Sequence, residues 1–286
     1  MRCADPDIPG GSKPLLDVLV VDRIRGLLSA EDYRPPQLPA TAVQLIELSR
    51  KENMQPGPMV ALLEQDPLLA ADLLRLAQSP VYGSCEMRTL DEAIVRLGLS
   101  RTAEVFLHAA LDAKVFHASG YQSQMNDLQK HSVAVGRLCR MFGKLLKVRN
   151  PALFLCGLLH EVGAAAALVA LVDNNPIGSK VPQFAEVWPA VSATHEFAGG
   201  LVARMWSFPS QIEETISRHH SFLNDEELDP TSCVVYLADW MANHLGVGFQ
   251  DEQEEELNPR ILERLAVDET LYEKLLIRSR DLLESS

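Results

Sequence analysis

The sequence predicts an all-α protein, and three observations carry that prediction. Apolar residues recur at spacings of three and four through most of the 286 residues. Helix-start signals, a capping side chain followed by proline, punctuate the chain repeatedly. No β-branched run of useful length alternates apolar with polar residues.

The elements follow in order. Residues 1–13 are rich in Gly, Pro and Asp and read as a loose tail. Residues 14–29 form an amphipathic helix with Leu15, Leu19, Val20, Ile24 and Leu27 on its stripe. Such a stripe usually packs on its own core, and Asp17 and Asp22 disfavour an anionic membrane as its partner. Three prolines in 33–39 mark a linker. Ala42, Leu45, Ile46 and Ser49 share a helical face. Asp66-Pro67 starts a helix whose face carries Leu69, Leu73 and Leu76. Thr89 and Glu92 make a capping box before Ile94 and Leu97, and Gly98 stops that helix. Asn150-Pro151 and Asp229-Pro230 repeat the cap-plus-proline signature. The total comes to about a dozen helices of ordinary length. No internal repeat is present. The division into halves falls near Gly120, and the glutamate-rich stretch 251–256 marks a surface loop before a helical tail. The segments are therefore 1–34, 35–120, 121–248 and 249–286.

Composition narrows the function classes. Hydrophobic residues make up 47% and charged residues 23%, an ordinary globular balance. A net charge of -13 repels the phosphate backbone and argues against direct nucleic-acid binding. The five cysteines, Cys3, Cys85, Cys139, Cys156 and Cys233, form no C-x-x-C pair, so reduced thiols are expected rather than a disulfide framework or zinc knuckle. The N-terminus lacks an apolar signal core, and the apolar run 164–172 is far shorter than the roughly 20 residues that span a bilayer. A cytoplasmic protein that neither enters nor crosses a membrane is the expectation.

The informative residues are ionisable groups on apolar stripes. His131 shares a face with Leu128, Val135, Leu138 and Phe142. His195 shares one with Val191, Ala198, Val202 and Met205. His219 continues the stripe of Ile212 and Ile216, with His220 beside it. Asp239 lies between Val235 and Ala242, and His160 one turn after Cys156, with Glu161 next. Any one such histidine is most often a core residue bonded to a backbone carbonyl. A buried carboxylate is costly unless paired or metal-bound. Five inward-facing sites on five helices are most simply explained by one polar pocket, and imidazole with carboxylate suits a first-row divalent metal: Fe, Mn, Zn or Ni.

The order His131, His160-Glu161, His195, His219-His220, Asp239 resembles the HD superfamily of metal-dependent phosphohydrolases, named for an adjacent His-Asp pair. More specifically the chain is similar to the HDOD (HD-related output domain) branch. Leu38-Pro39, Gln65-Asp66-Pro67-Leu68 through Leu73-Leu74-Arg75, Ser79 with Tyr82-Gly83, and Ala93-Ile94 through Leu97-Gly98 match its N-terminal half. His131-Ser132, Gly157-Leu158-Leu159-His160, His195 with Gly199, Trp206 with Pro209, and His219-His220 match its C-terminal half, and the likeness covers about 35–248. The resemblance implies an HD-like helical bundle preceded by a helical subdomain. It also implies a role in bacterial signal transduction, with a signalling-protein partner and a cyclic dinucleotide or other nucleotide as ligand.

The chain departs from the pattern in three places. Glu161 replaces the paired aspartate, Ala164 stands where a related phosphodiesterase branch has lysine, and Gln78 replaces an asparagine before Ser79. A missing cation weakens stabilisation of a phosphoryl transition state. The leading expectation is thus a regulatory output domain with a degenerate site. The alternatives are a metal-dependent phosphohydrolase, with His131, His160, Glu161 and Asp239 on a first metal and His195, His219 and His220 around a second, and a helical interaction scaffold without metal.

Overall fold

The computed structural model describes residues 13–36, 44, 56–64, 67–79, 89–99, 101–106, 115–248 and 256–284. The expected stripe of Ala42, Leu45, Ile46 and Ser49, the Asp66 cap, Leu38-Pro39, Gln65, Tyr82-Gly83, Cys3, Cys85 and residues 251–255 lie outside those residues. Every regular element among the described residues is helical.

The first half contributes α1 (Lys13–Leu28), α2 (Pro56–Leu63), α3 (Pro67–Ala77) and α4 (Leu90–Leu97). The predicted capping box is present: Thr89 Oγ1 accepts from Glu92 N–H, and Glu92 Oε2 accepts from Thr89 N–H. Gly98, at φ 80°, ends α4. Met59, Leu63, Leu73, Ile94 and Phe106 form a compact apolar core of their own. Among the described residues helix α1 does not join it. Ile24 and Leu28 are fully buried in the larger core of the second half, where α1 lies on α7 and α8. Leu19, expected on the packed stripe, is 63% exposed, because the buried face centres on Ile24 and Leu28 instead.

The second half contains α5 (Gln122–Leu145), α6 (Leu153–Leu159), α7 (Val162–Asp173), α8 (Phe184–Met205), α9 (Ser210–Arg218), α10 (Pro230–His244), α11 (Pro259–Arg264) and α12 (Glu269–Glu284). Helix α7 is apolar on every side and is accordingly enclosed by its neighbours. Among the described residues one stretch, Leu153–Asp173, is long and apolar enough to cross a membrane, yet 89% of its apolar 18-residue window is buried inside the protein. The apolar sequence is thus longer than the 164–172 run, and its apolarity is spent on the core. Asp229 caps α10 as predicted, accepting from Ser232 N–H at 2.8 Å. Asn150 does not cap α6 directly; its Oδ1 accepts from Ala152 N–H, and α6 begins at Leu153 after a turn.

The halves meet through polar contacts as well as the chain. Glu104, only 5% exposed, pairs with Arg101 on its own segment and with Arg140 on α5. Trp206 Nε1–H donates to Pro36 O at 3.0 Å, and Trp206 lies edge-on to Phe208, so this tryptophan braces a helix junction.

Candidate metal centre

All seven predicted side chains converge. His131 comes from α5, His195 from α8 and Asp239 from α10, each in mid-helix. His160 and Glu161 occupy the break between α6 and α7: His160 ends one helix and Glu161 precedes the next. His219 ends α9, and His220 follows it. Six of the seven are buried, and His220 is partly buried. Met205, expected on the His195 stripe, is 42% exposed, since it is the last residue of α8.

The side chains form two adjoining groups, His131, His160 and Asp239 in one and Glu161, His195, His219 and His220 in the other. Within each group the ligand atoms all lie within 4.8 Å of one another. His131 Nε2 is 3.0 Å from Asp239 Oδ1, and His160 Nε2 is 3.6 Å from the same oxygen. Glu161 Oε1 is 3.7 Å from His195 Nε2 and 3.9 Å from His219 Nε2. Glu161 therefore belongs with His195 and His219, not with His131, His160 and Asp239. The helix break rotates consecutive side chains apart, and the seam between the groups is the 5.2 Å separation of the His160 and His219 rings.

Close helix approaches make this convergence possible. A Cβ on Gly163 would stand 1.9 Å from His195 O and 2.4 Å from Gly199 N, so only glycine lets α7 touch the α8 backbone beside His195. Gly157 similarly brings α6 against α5: its Cβ would lie 2.6 Å from Cys139 Sγ and 2.9 Å from Gly136 Cα.

Hydrogen bonds fix the rings. His160 Nδ1 donates to Gly157 O at 2.8 Å, His219 Nδ1 to Ile216 O at 2.8 Å, and His195 Nδ1 to Ser192 O. His131 Nδ1 donates to Val247 O at 2.8 Å. A carbonyl oxygen can only accept, so Nδ1 carries the proton in all four rings. A ring that carries only that proton presents an Nε2 lone pair, whereas His131, beside Asp239, takes up a second proton on Nε2 when no metal is bound. Yet His131 Nε2 and His160 Nε2 are 3.3 Å apart, and His195 Nε2 and His219 Nε2 are 3.0 Å apart. Facing lone pairs at that distance repel unless a cation, proton or metal, lies between them. Glu161 Oε2 is buried and lacks a hydrogen-bond partner among the described residues. Oriented imidazole nitrogens with buried carboxylate oxygens fit a first-row divalent ion.

Electrostatics agree with an ionised site. Burial pushes the Asp239 carboxyl up, but the imidazoles of His131 and His160 outweigh it and hold it well below the usual carboxylate range. Glu161 is likewise raised by burial and lowered further by His195, His219 and His160. Burial lowers His131, but the hydrogen bond and charge of Asp239 hold it up at about 9. His219 is pushed down to about 4 by burial and then by the neighbouring His220.

Comparison with known proteins places this architecture. Residues 36–222 match the HDOD domain family. The chain belongs to the HDOD family. Among solved structures, an HDOD domain protein from Geobacter sulfurreducens superposes with a TM-score of 0.64 at 21% identity, covering 95% of this chain and 93% of that one. A candidate metal-dependent phosphohydrolase from Shewanella amazonensis SB2B superposes at 0.68 and 16% identity, over 95% of this chain and 99% of that one. A candidate signal transduction protein from Marinobacter aquaeolei VT8 gives 0.68 and 18%, over 94% and 65%. An uncharacterized protein of Treponema pallidum (strain Nichols) is 26% identical over 214 residues, and the match spans 71% of this HDOD chain but only 41% of that relative's length.

Sequence reasoning missed the groups that hold the ligands in place. Asn243 Nδ2 donates to Asp239 Oδ1 at 3.1 Å. Its spacing of four from Asp239 placed it on the same face. Val247 O had no signal, since a backbone carbonyl has no residue type. Glu196 Oε1 accepts from His220 N–H at 2.7 Å and Ser221 N–H at 3.0 Å, holding the His219-His220 corner.

Proposed function

We propose that this HDOD protein is a metal-binding output module of a signalling system, whose buried centre takes first-row divalent ions and, on them, a phosphate-bearing ligand of nucleotide type. Ligand occupancy then sets the conformation that a protein partner reads. The observation that carries this reading is the facing Nε2 contact of His195 and His219, with both Nδ1 protons committed to carbonyls, beside the His131–His160–Asp239 group. His131, His160 and Asp239 would hold one ion, and Glu161, His195, His219 and His220 a second. Bound metal supplies Lewis acidity towards a phosphoryl oxygen and a more acidic water. The chain's own part is to fix the Nε2 lone pairs, keep both carboxylates ionised and exclude bulk water by burial. Ala164 is completely buried in apolar core, so its position offers no cation to a phosphoryl group. That favours binding over turnover.

Phosphohydrolysis is the second reading, favoured by the convergence of all seven side chains with Glu161 reaching the centre despite its extra methylene. The test is elemental analysis of protein purified without an affinity metal, beside a His160→Ala, Asp239→Ala double variant. Stoichiometric Fe, Mn, Zn or Ni that the variant loses is the expected result. A wild-type protein that takes up no metal on reconstitution overturns the proposal and favours a metal-free scaffold. Phosphodiester turnover that the double variant abolishes would establish the second reading.

A further inference from the structure

Three of the four oriented imidazoles depend on their own helix. His160, His195 and His219 each donate Nδ1–H to a carbonyl three residues earlier. His131 alone uses a carbonyl 116 residues away, Val247 O. That carbonyl is aimed by the way α10 ends. Gly246 N–H donates to Asn243 O and Val247 N–H to Ala242 O, the paired bonds of a Schellman turn. The turn needs a left-handed residue, and Gly246 supplies it at φ 78°. The same turn holds Asn243: a Cβ on Gly248 would stand 2.1 Å from Asn243 Oδ1 and 3.0 Å from its Cα, so Gly248 leaves the room that the Asn243 side chain occupies. Asn243 in turn donates to Asp239 Oδ1, the oxygen that His131 and His160 also approach.

We propose that the 243–248 turn is a positioning device for the metal centre, in which Asn243 orients Asp239 and the Val247 carbonyl orients His131. The device lies between α10 and the C-terminal helices, and α12 lies against both α5 and α10. A displacement of the C-terminal segment would therefore reach two ligands of one ion at once. This inference rests on the metal reading above. Partners that orient metal ligands typically change affinity by about 10–100-fold when removed.

The test uses the full chain, stripped of metal and titrated with Co²⁺, whose visible spectrum reports ligand geometry. Gly246→Ala and Asn243→Ala are compared with Gly98→Ala. Gly98 also ends a helix at positive φ, 80°, and like Gly246 has nothing within 4 Å of an added Cβ, so both substitutions strain the backbone alone, but Gly98 follows α4, which carries none of the seven side chains. The expected result is Co²⁺ affinity about 10–100-fold weaker, with an altered spectrum, in the first two variants and no change in the third. Wild-type affinity and spectrum in Asn243→Ala and Gly246→Ala, with helix content intact, would overturn the proposal. Should Gly246→Ala not fold, Asn243→Ala decides alone. Should the wild type bind no Co²⁺, the metal reading fails separately. The His131 Nδ1 proton then decides by nitrogen-15 NMR of the metal-free protein: faster exchange in Gly246→Ala than in Gly98→Ala supports the positioning role, and equal protection overturns it.

Discussion

His195 Nε2 lies 3.0 Å from His219 Nε2, although each ring commits its Nδ1 proton to a carbonyl in its own helix. The contact sets two lone pairs against each other in a buried site, so the folded chain stores an electrostatic demand for a cation. A ligand that binds only the folded state stabilises it by mass action. At a free metal concentration 100 times the dissociation constant, that is about 2.7 kcal/mol. For a protein of this size, about 2–4 °C of melting temperature per kcal/mol translates it to a rise of roughly 5–10 °C. Differential scanning fluorimetry with and without chelator measures it. His160→Ala with Asp239→Ala should reduce the rise, and an equal rise in both proteins would place the metal elsewhere.

Gly163→Ala should be destabilising although alanine is the better helix former by about 1 kcal/mol. The added Cβ would meet His195 O at 1.9 Å and Gly199 N at 2.4 Å, both backbone atoms that cannot rotate away. Overpacking of this kind costs about 3 kcal/mol, the upper end of the usual range. Because the clash separates α7 from α8, Glu161 should move away from His195, and metal affinity should fall with stability. Urea unfolding and metal titration on the same variant check both effects.

The helical stripes made His131, His195, His219 and Asp239 legible, because periodicity sets which face a residue shares, while His160, Glu161 and His220 were read from adjacency and the family resemblance. Periodicity did not reveal how the seven divide. Glu161 joins His195 only because α6 breaks from α7 at His160, and that break has neither glycine nor proline to announce it. The capping box at Thr89 and the Asp229 cap were readable from side-chain chemistry. The membership of Ile24 and Leu28 in the second core was not, since an amphipathic helix specifies a buried face but no partner. Asn243 was within reach of the same periodicity. Val247 was not, because its role belongs to a carbonyl aimed by a turn.

Arg140→Met should loosen the first half without unfolding the second. Among the described residues the two halves keep separate apolar clusters, and Glu104 links them by pairing with Arg140. Loss of a hydrogen bond to a charged group costs about 1.5–3 kcal/mol, here moderated because Arg101 still serves Glu104. Limited proteolysis should cut sooner within the first half, while the second half melts at its original temperature. Equal protection of both halves would show that the contact does not hold them together.

The metal-free protein should be most stable near pH 6.5, with a decline on each side. His131 is raised from its ordinary 6.5 to about 9, burial being outweighed by Asp239. Between those values the folded state holds a proton that the unfolded state has released, so stability falls as pH rises through that window. His219 is lowered from 6.5 to about 4 by burial and by His220. Between those values the unfolded state holds the extra proton, so stability falls as pH drops through it. Asp239, whose carboxyl is lowered by His131 and His160 against the effect of burial, adds a further loss as pH falls below its ordinary 3.8. Asp239→Asn removes the charge that holds His131 up, so its alkaline decline should flatten while the His219 limb persists. Urea midpoints of chelator-treated wild type and variant from pH 4 to 9 measure both limbs, and a wild-type profile still rising above pH 7 would contradict the protonated His131–Asp239 pair.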